Sequence, residues 1–207
     1  MIRDLARKGF AVNHLVTACG TCRDSLERLD LPKQFPELVQ TDVTQLVLPR
    51  LAAKGAQNTI VVKPEGDILC HGACHCEWAG VHRVKGQQQM AAALGEFAGC
   101  HITLQTGCCG ESGTGAVTSP AIFNVLRARK QGALQNVFDA GYGNKPILVG
   151  CPSCKIGIGR CCINLKHGKQ PVLHTTEWLA GLLDGEDRRQ SFCKKINETR
   201  GDVRIIC

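Results

Sequence analysis

The sequence predicts an α/β fold, with a mainly parallel sheet flanked by helices. Two observations carry that expectation. Short apolar runs alternate with helix-length segments along the 207 residues, and each prominent cysteine group follows directly on one of those runs. In parallel sheets the carboxyl ends of the strands share one edge, and ligands bind there. Thiols far apart in sequence are therefore expected in cysteine-bearing loops at the carboxyl ends of neighbouring strands.

The first run, 14–18, leads into Cys19-Gly-Thr-Cys22. A helix is expected near 42–53. Gly55-Ala-Gln-Asn-Thr and Lys63-Pro-Glu-Gly-Asp then read as loop and divide the chain into units 1–60 and 61–207. A second run, 67–70, precedes Cys74, and a helix is expected near 84–98. The run 101–105 precedes Cys108-Cys109. The helix over 119–139 has the most local support: Ser119 suits the cap and Pro120 the first helical position. Ile122, Val125, Leu126, Leu134 and Val137 form its apolar stripe, and Gly141 ends it. The run 146–150 precedes Cys151-Pro-Ser-Cys154; 171–174 is a further strand, 175–184 a helix, and 203–207 a weaker strand candidate. Both units place a Cys-x-x-Cys after a strand, which hints at an internal repeat with a truncated first copy.

Fourteen cysteines are unusual in a chain of this length. A secreted protein would use them in disulfides, but the N-terminus lacks the continuous apolar segment of a signal peptide. No stretch reaches the roughly 20 apolar residues of a membrane span. The expected setting is cytoplasmic, with peripheral membrane association still compatible, and the thiols are expected to hold metal. The formal charge of +7 counts every cysteine as neutral, whereas metal-bound thiols are anionic. With aromatic residues at 4% and no basic stripe, nucleic acid is not expected as a partner.

Several chemistries compete for the thiols. Two Cys-x-x-Cys pairs, Cys19/Cys22 and Cys151/Cys154, could make a structural zinc site, which leaves Cys74 and Cys108-Cys109 unused. Cys151-Pro-Ser-Cys154 at a helix start also suits a thiol–disulfide pair. Ferredoxin and covalent-haem spacings are absent. Burial as ordinary core thiols suits Cys100, Cys193 and Cys207, and packing is the favoured role of Cys161-Cys162. It suits Cys108-Cys109 poorly, because that pair sits among Gly107, Gly110, Gly113 and Gly115. Adjacent cysteines do not easily serve one small tetrahedral ion but can cap a larger inorganic core. Cys70 and Cys76 are alternatives to Cys74. His71 and His75 read as supports of the site, and Glu111 and Ser112 as proton-relay candidates. Arg127, Arg129 and Lys130 read as a solvated helix face, and Trp78 and Trp178 as core.

Three elements together resemble the cysteine-rich CCG domain family found in heterodisulfide reductases, glycolate oxidase iron–sulfur subunits and lactate-utilisation proteins. They are His71-Gly-Ala-Cys74-His75, Cys108-Cys109-Gly110 and Gly150-Cys151-Pro-Ser-Cys154. The run from Gly107 to Thr114 and on to Lys155-Ile-Gly-Ile-Gly159 is most similar to the C-terminal part of FAD-linked, iron–sulfur-containing 2-hydroxyacid dehydrogenases of the D-lactate type. The likeness covers about residues 67–180 well and the first 30 loosely.

The resemblance implies a [4Fe–4S]-type cluster on Cys74, Cys108, Cys109, Cys151 and Cys154, including the non-cubane kind that takes five thiolates. Cys19 and Cys22 look like the end of a first CCG-type copy that lacks its leading cysteine and its Cys-Cys, with 61–207 as the complete copy. It also implies an electron-transfer component of an oxidoreductase. Its partners would be a flavoprotein subunit or domain bearing FAD and an acceptor that is a quinone, a disulfide or a soluble carrier. A zinc-stabilised binding module and a metal-free thiol–disulfide protein remain the alternatives.

Overall fold

The structure, a computed structural model, describes residues 2–111, 117–167 and 170–185. The strand candidate 203–207 and Ser112, Gly113, Gly115, Cys193 and Cys207 lie outside the described residues.

The described residues form two parallel sheets. Strands β1 (His14–Thr17) and β2 (Val39–Asp42) pair over their full length. Helix α1 (Ile2–Arg7) precedes them, α2 (Gly20–Glu27) and α3 (Leu31–Gln34) connect them, and β2 leads into α4 (Val43–Ala53). Asp42 caps α4 by accepting from the Thr44 N–H at 2.8 Å, the arrangement an Asp at this position favours. β2 is not expected from the sequence, because Val39-Gln-Thr-Asp42 carries one apolar residue and no alternation a core would impose.

The second sheet holds β3 (Ile68–His71), β6 (Ile102–Gln105), β7 (Ile147–Val149) and β8 (Val172–His174), in the spatial order β6-β3-β7-β8, all parallel. A short antiparallel hairpin, β4 (Glu77–Trp78) and β5 (Val81–His82), follows β3. Helices α5 (Arg83–Ala98), α6 (Pro120–Val137), α7 (Pro152–Asn164) and α8 (Thr175–Asp184) follow β5, β6, β7 and β8.

Strand residues alternate between two cores, as the two-residue period demands. Ile68, Cys70 and Leu148 face Met90, Leu94 and Phe97 of α5 and Trp178, Leu179 and Leu182 of α8. Leu69, Ile147 and Val149 face Leu134 of α6 and Ile158, Cys161 and Cys162 of α7. Trp78 and Trp178 are core residues as expected, and Cys161-Cys162 packs inside.

From β3 the chain first moves to one neighbour, β6, and then returns to the other side for β7. That reversal makes the carboxyl edge between β3 and β7 the natural crevice for a ligand. The loops after β3, β6 and β7 carry Cys74, Cys108-Cys109 and Cys151.

Helix α6 departs from expectation in two ways. Ser119 holds the cap position without a side-chain capping bond. Ile122 and Val125 are 61% and 53% exposed, so the front of the expected stripe faces solvent while Leu134 is fully buried. The helix ends through a π turn, Phe138–Tyr142, in which Gly141 takes φ 104°.

Candidate metal centre

Each thiol-bearing loop is aimed by the strand before it. Cys151 is the N-cap of α7 with φ −152° and ψ 132°, continuing the extended path of β7 before Pro152 starts the helix. Cys154 lies within the first turn of that helix. Both are buried, at 2% and 3% exposure. Cys108 and Cys109 follow β6 through Thr106 and Gly107, and Cys74 follows β3 through Gly72 and Ala73.

The CCG turn is fixed by close approach. Gly110 has φ 72°, and a Cβ there would lie 2.5 Å from Cγ of Arg127. Arg127 in turn donates from Nε to the Gly110 carbonyl at 3.1 Å. On the other side, a Cβ on Gly157 of α7 would lie 2.9 Å from the Cys109 carbonyl oxygen. Glycine at both positions lets two helices close on the turn.

The structure brings the five expected thiols together. Side-chain interactions link Cys74 to Cys108, Cys108 to Cys109, Cys109 to Cys154, and Cys154 to Cys151. Cys19, outside the expected ligand set, extends the chain: its Sγ lies 3.6 Å from Sγ of Cys151. Cys22 interacts with Cys19 and is exposed. The signal for Cys19 in the sequence is the matching strand–Cys-x-x-Cys–helix order of residues 14–27 and 147–164.

Two anionic thiols, Cys108 and Cys151, each sit between neutral neighbours along this chain. Cys108 is held down to about 2 by Cys109 and then Cys74, with the Gly110 N–H at 3.3 Å from its sulfur adding to the effect. Cys151 is held down to about 4 by Cys154 first, and backbone N–H groups of Cys154 and Gly20 also favour its anion. Their neighbours go the other way: Cys109 is pushed up to about 11 by Cys108, and Cys19 to about 11 by burial. Cys74 and Cys154 are raised as well, by Cys108 and Cys109 respectively. Each thiolate is thus stabilised by thiols on both sides. A cationic core would replace those shared protons, since metal binding and thiol deprotonation are coupled.

Cys70 and Cys76 do not join. Burial pushes both up to about 12, and Cys70 packs in the core on the α5 side of the sheet. His75 turns to Asp24, with Nδ1 3.4 Å from its carboxylate. Glu111 pairs with Arg160 at 2.6 Å, which leaves it poorly placed as a proton relay.

Lys130 departs from the expected solvated face it shares with Arg127 and Arg129. It is 3% exposed and points into the site. Arg127 serves the CCG turn, and of the three only Arg129 is exposed. Lys130 Nζ contacts Nδ1 of His71 at 3.2 Å, the Thr106 carbonyl at 2.6 Å and Oε1 of Gln105. Burial lowers it to about 8 while the thiols around it raise it, so it stays protonated at neutral pH. His71 is fully buried, and burial followed by the Lys130 charge takes it down to about 3, keeping the ring neutral. A ring nitrogen of His71 and the sulfurs of Cys109 and Cys154 lie within 4.8 Å of one another.

A sulfur-bridged iron core fits this donor set: thiolates from the loops of neighbouring strands, a buried cation beside them, and a buried imidazole nitrogen, His71 Nε2, with no well-formed hydrogen bond among the described residues. Cys74, Cys108, Cys109, Cys151 and Cys154 would hold it. No helix among the described residues is long and apolar enough to cross a membrane. No curated protein and no solved structure gave a significant match to the chain. Residues 68–159 match the family model of the CCG cysteine-rich domain, a family associated with iron–sulfur oxidoreductase subunits. By that match, and by the strand-end thiols within it, residues 68–159 carry a CCG cysteine-rich domain.

Proposed function

We propose that the chain is the iron–sulfur electron-transfer component of an oxidoreductase. A flavin-dependent 2-hydroxyacid dehydrogenase of lactate or glycolate type, with FAD on that partner, supplies electrons, and a quinone, a disulfide or a soluble carrier receives them. The observation that carries this reading is the unbroken chain of thiols from Cys74 through Cys108, Cys109 and Cys154 to Cys151 at one sheet edge.

When bound, a [4Fe–4S]-type core, cubane or non-cubane, supplies one-electron storage. The chain's own part is to hold five sulfurs as anions, to exclude water and to aim N–H groups at the sulfurs. Cys109, Cys151 and Cys154 lie inside, whereas Cys74 is exposed and opens the site toward a cleft of mixed charge, lined by Arg23, Arg28 and Arg83 together with Asp24 and Glu27. That asymmetry suits electron exchange with a docked partner at one side. We also read residues 1–60 as a first CCG-type unit, supported by the equivalent extended backbone of Cys19 (φ −146°, ψ 121°) and Cys151 at their helix starts.

A second reading has one specific observation behind it. His71, Cys109 and Cys154 could hold a single zinc ion in a non-enzymatic module. Anaerobic purification with iron, zinc and acid-labile sulfide determination separates the two. Iron with matching sulfide is expected; stoichiometric zinc in colourless protein overturns the proposal, and protein active as a dithiol with no metal does so equally.

A further inference from the structure

The buried pair Lys130 and His71 has a geometry that goes beyond holding metal. An ammonium group has three N–H donors and no acceptor. Around Lys130 stand three acceptors: Gln105 Oε1, the Thr106 carbonyl and His71 Nδ1. Each donor has its match, so the side chain is built in as a cation. Burying one is strongly unfavourable without a compensating negative charge. Cys109, Cys154 and Cys108 stand close enough to act on Lys130, and as thiolates holding a metal core they would supply that charge.

The same contact fixes the imidazole. Because Lys130 can only donate, His71 Nδ1 must offer its lone pair, and the neutral ring carries its proton on Nε2. Nε2 makes no well-formed hydrogen bond among the described residues, with the Gln105 backbone as a further acceptor acting on the ring, and the ring lies within 4.8 Å of the sulfurs of Cys109 and Cys154. A protonated nitrogen cannot ligate a metal. It can donate to a sulfur. The contact with Lys130 therefore decides between two roles that proximity alone leaves open.

We propose that Lys130 and His71 are a built-in cation and N–H donor that set the reduction potential of the thiolate-held centre, with His71 acting as a donor to sulfur and not as a ligand. The inference rests on the iron–sulfur function proposed for the chain. Reduction adds one electron, delivered by a reduced flavin, and makes the centre more negative by one charge; no bond forms or breaks and no proton moves. A fixed cation nearby favours that more negative state. Removing it lowers the potential.

The test is a mediated redox titration of the anaerobically purified, iron-loaded full chain, following the visible absorbance of the centre. Lys130→Gln, which keeps polarity and loses charge, is expected to shift the reduction equilibrium about tenfold toward the oxidised form, ~59 mV for one electron. Lys130→Arg, which keeps the charge, is expected to restore most of that shift. An unchanged potential in Lys130→Gln overturns the proposal, as does a Lys130→Arg potential equal to that of Lys130→Gln.

Should Lys130→Gln lose its iron, the His71 variants decide. His71→Leu is expected to titrate lower than the wild type, and His71→Gln, which retains an N–H, close to it. Equal potentials in the two overturn the proposal, and loss of iron in both identifies His71 as a ligand and does the same. Wild-type protein without iron and sulfide is a different failure: it sinks the iron–sulfur reading itself, and this inference with it.

Discussion

The chain contains the same local unit twice. Residues 14–27 and 147–164 each run from a parallel strand through a Cys-x-x-Cys whose first cysteine sits in extended conformation at the N-cap of a helix. The surroundings differ. The later unit enters a four-stranded sheet covered on both faces, and its two cysteines are buried. The earlier one enters a two-stranded sheet, with Cys19 partly buried and Cys22 exposed. Cys151 is held as an anion at about 4 while Cys19 is pushed up to about 11. One motif thus yields an anion in one place and a neutral thiol in the other. Position at a helix start does not by itself set thiol chemistry; the hydrogen bonds from neighbouring sulfurs do, because Cys151 is the more buried of the two and burial alone would raise it.

The largest expected effect falls on the later unit. Cys151→Ser and Cys108→Ser are each expected to lose most bound iron and sulfide, while Cys22→Ser retains both; equal retention in all three would remove the distinction between the units. Next in size is a change in the sheet beneath the site. Leu148→Ala, at a fully buried strand position, should cost about 2–5 kcal/mol in urea unfolding. Gly157→Ala pushes a methyl against the Cys109 carbonyl and should cost about 1–3 kcal/mol, with weakened iron retention as the site opens.

Cys19→Ser tests how far the earlier unit contributes. With its sulfur beside Cys151 and outside the five-thiol set, it should speed iron loss to a chelator without abolishing loading. The smallest effect is Val16→Ala, on a strand residue 41% exposed, which should stay within about 0.5 kcal/mol of the wild type.

Much of the architecture could be read in the sequence because the second unit is locally consistent. The apolar runs 67–70, 101–105 and 146–150 all become strands of one parallel sheet; the two inside it, β3 and β7, are fully buried and must be almost wholly apolar, while β6 at the edge tolerates Thr103 and Gln105. The gathering of thiols at one sheet edge was legible because the cysteines come directly after those strands. The misses have equally local causes. Val39-Gln-Thr-Asp42 forms a strand on an open two-stranded sheet, where no core imposes an apolar pattern. Charge alone assigns Lys130 to solvent, although it stands four residues after Leu126 and four before Leu134, on the buried stripe itself. Ile122 belongs to the same row and is exposed, because periodicity gives the face of a helix but not how far the neighbouring layer extends along it.

The sequence by itself determined the alternation of strands and helices and the placement of thiols at strand ends, since both follow from short-range patterning and the shared direction of parallel strands. Only the tertiary structure decided which sulfurs meet. It left Cys70 in the core on the α5 side of the sheet, drew Cys19 against Cys151, and turned Lys130 inward onto His71. Those outcomes depend on strand order and on which helix covers which face, and both are set by packing between segments that are distant in the chain.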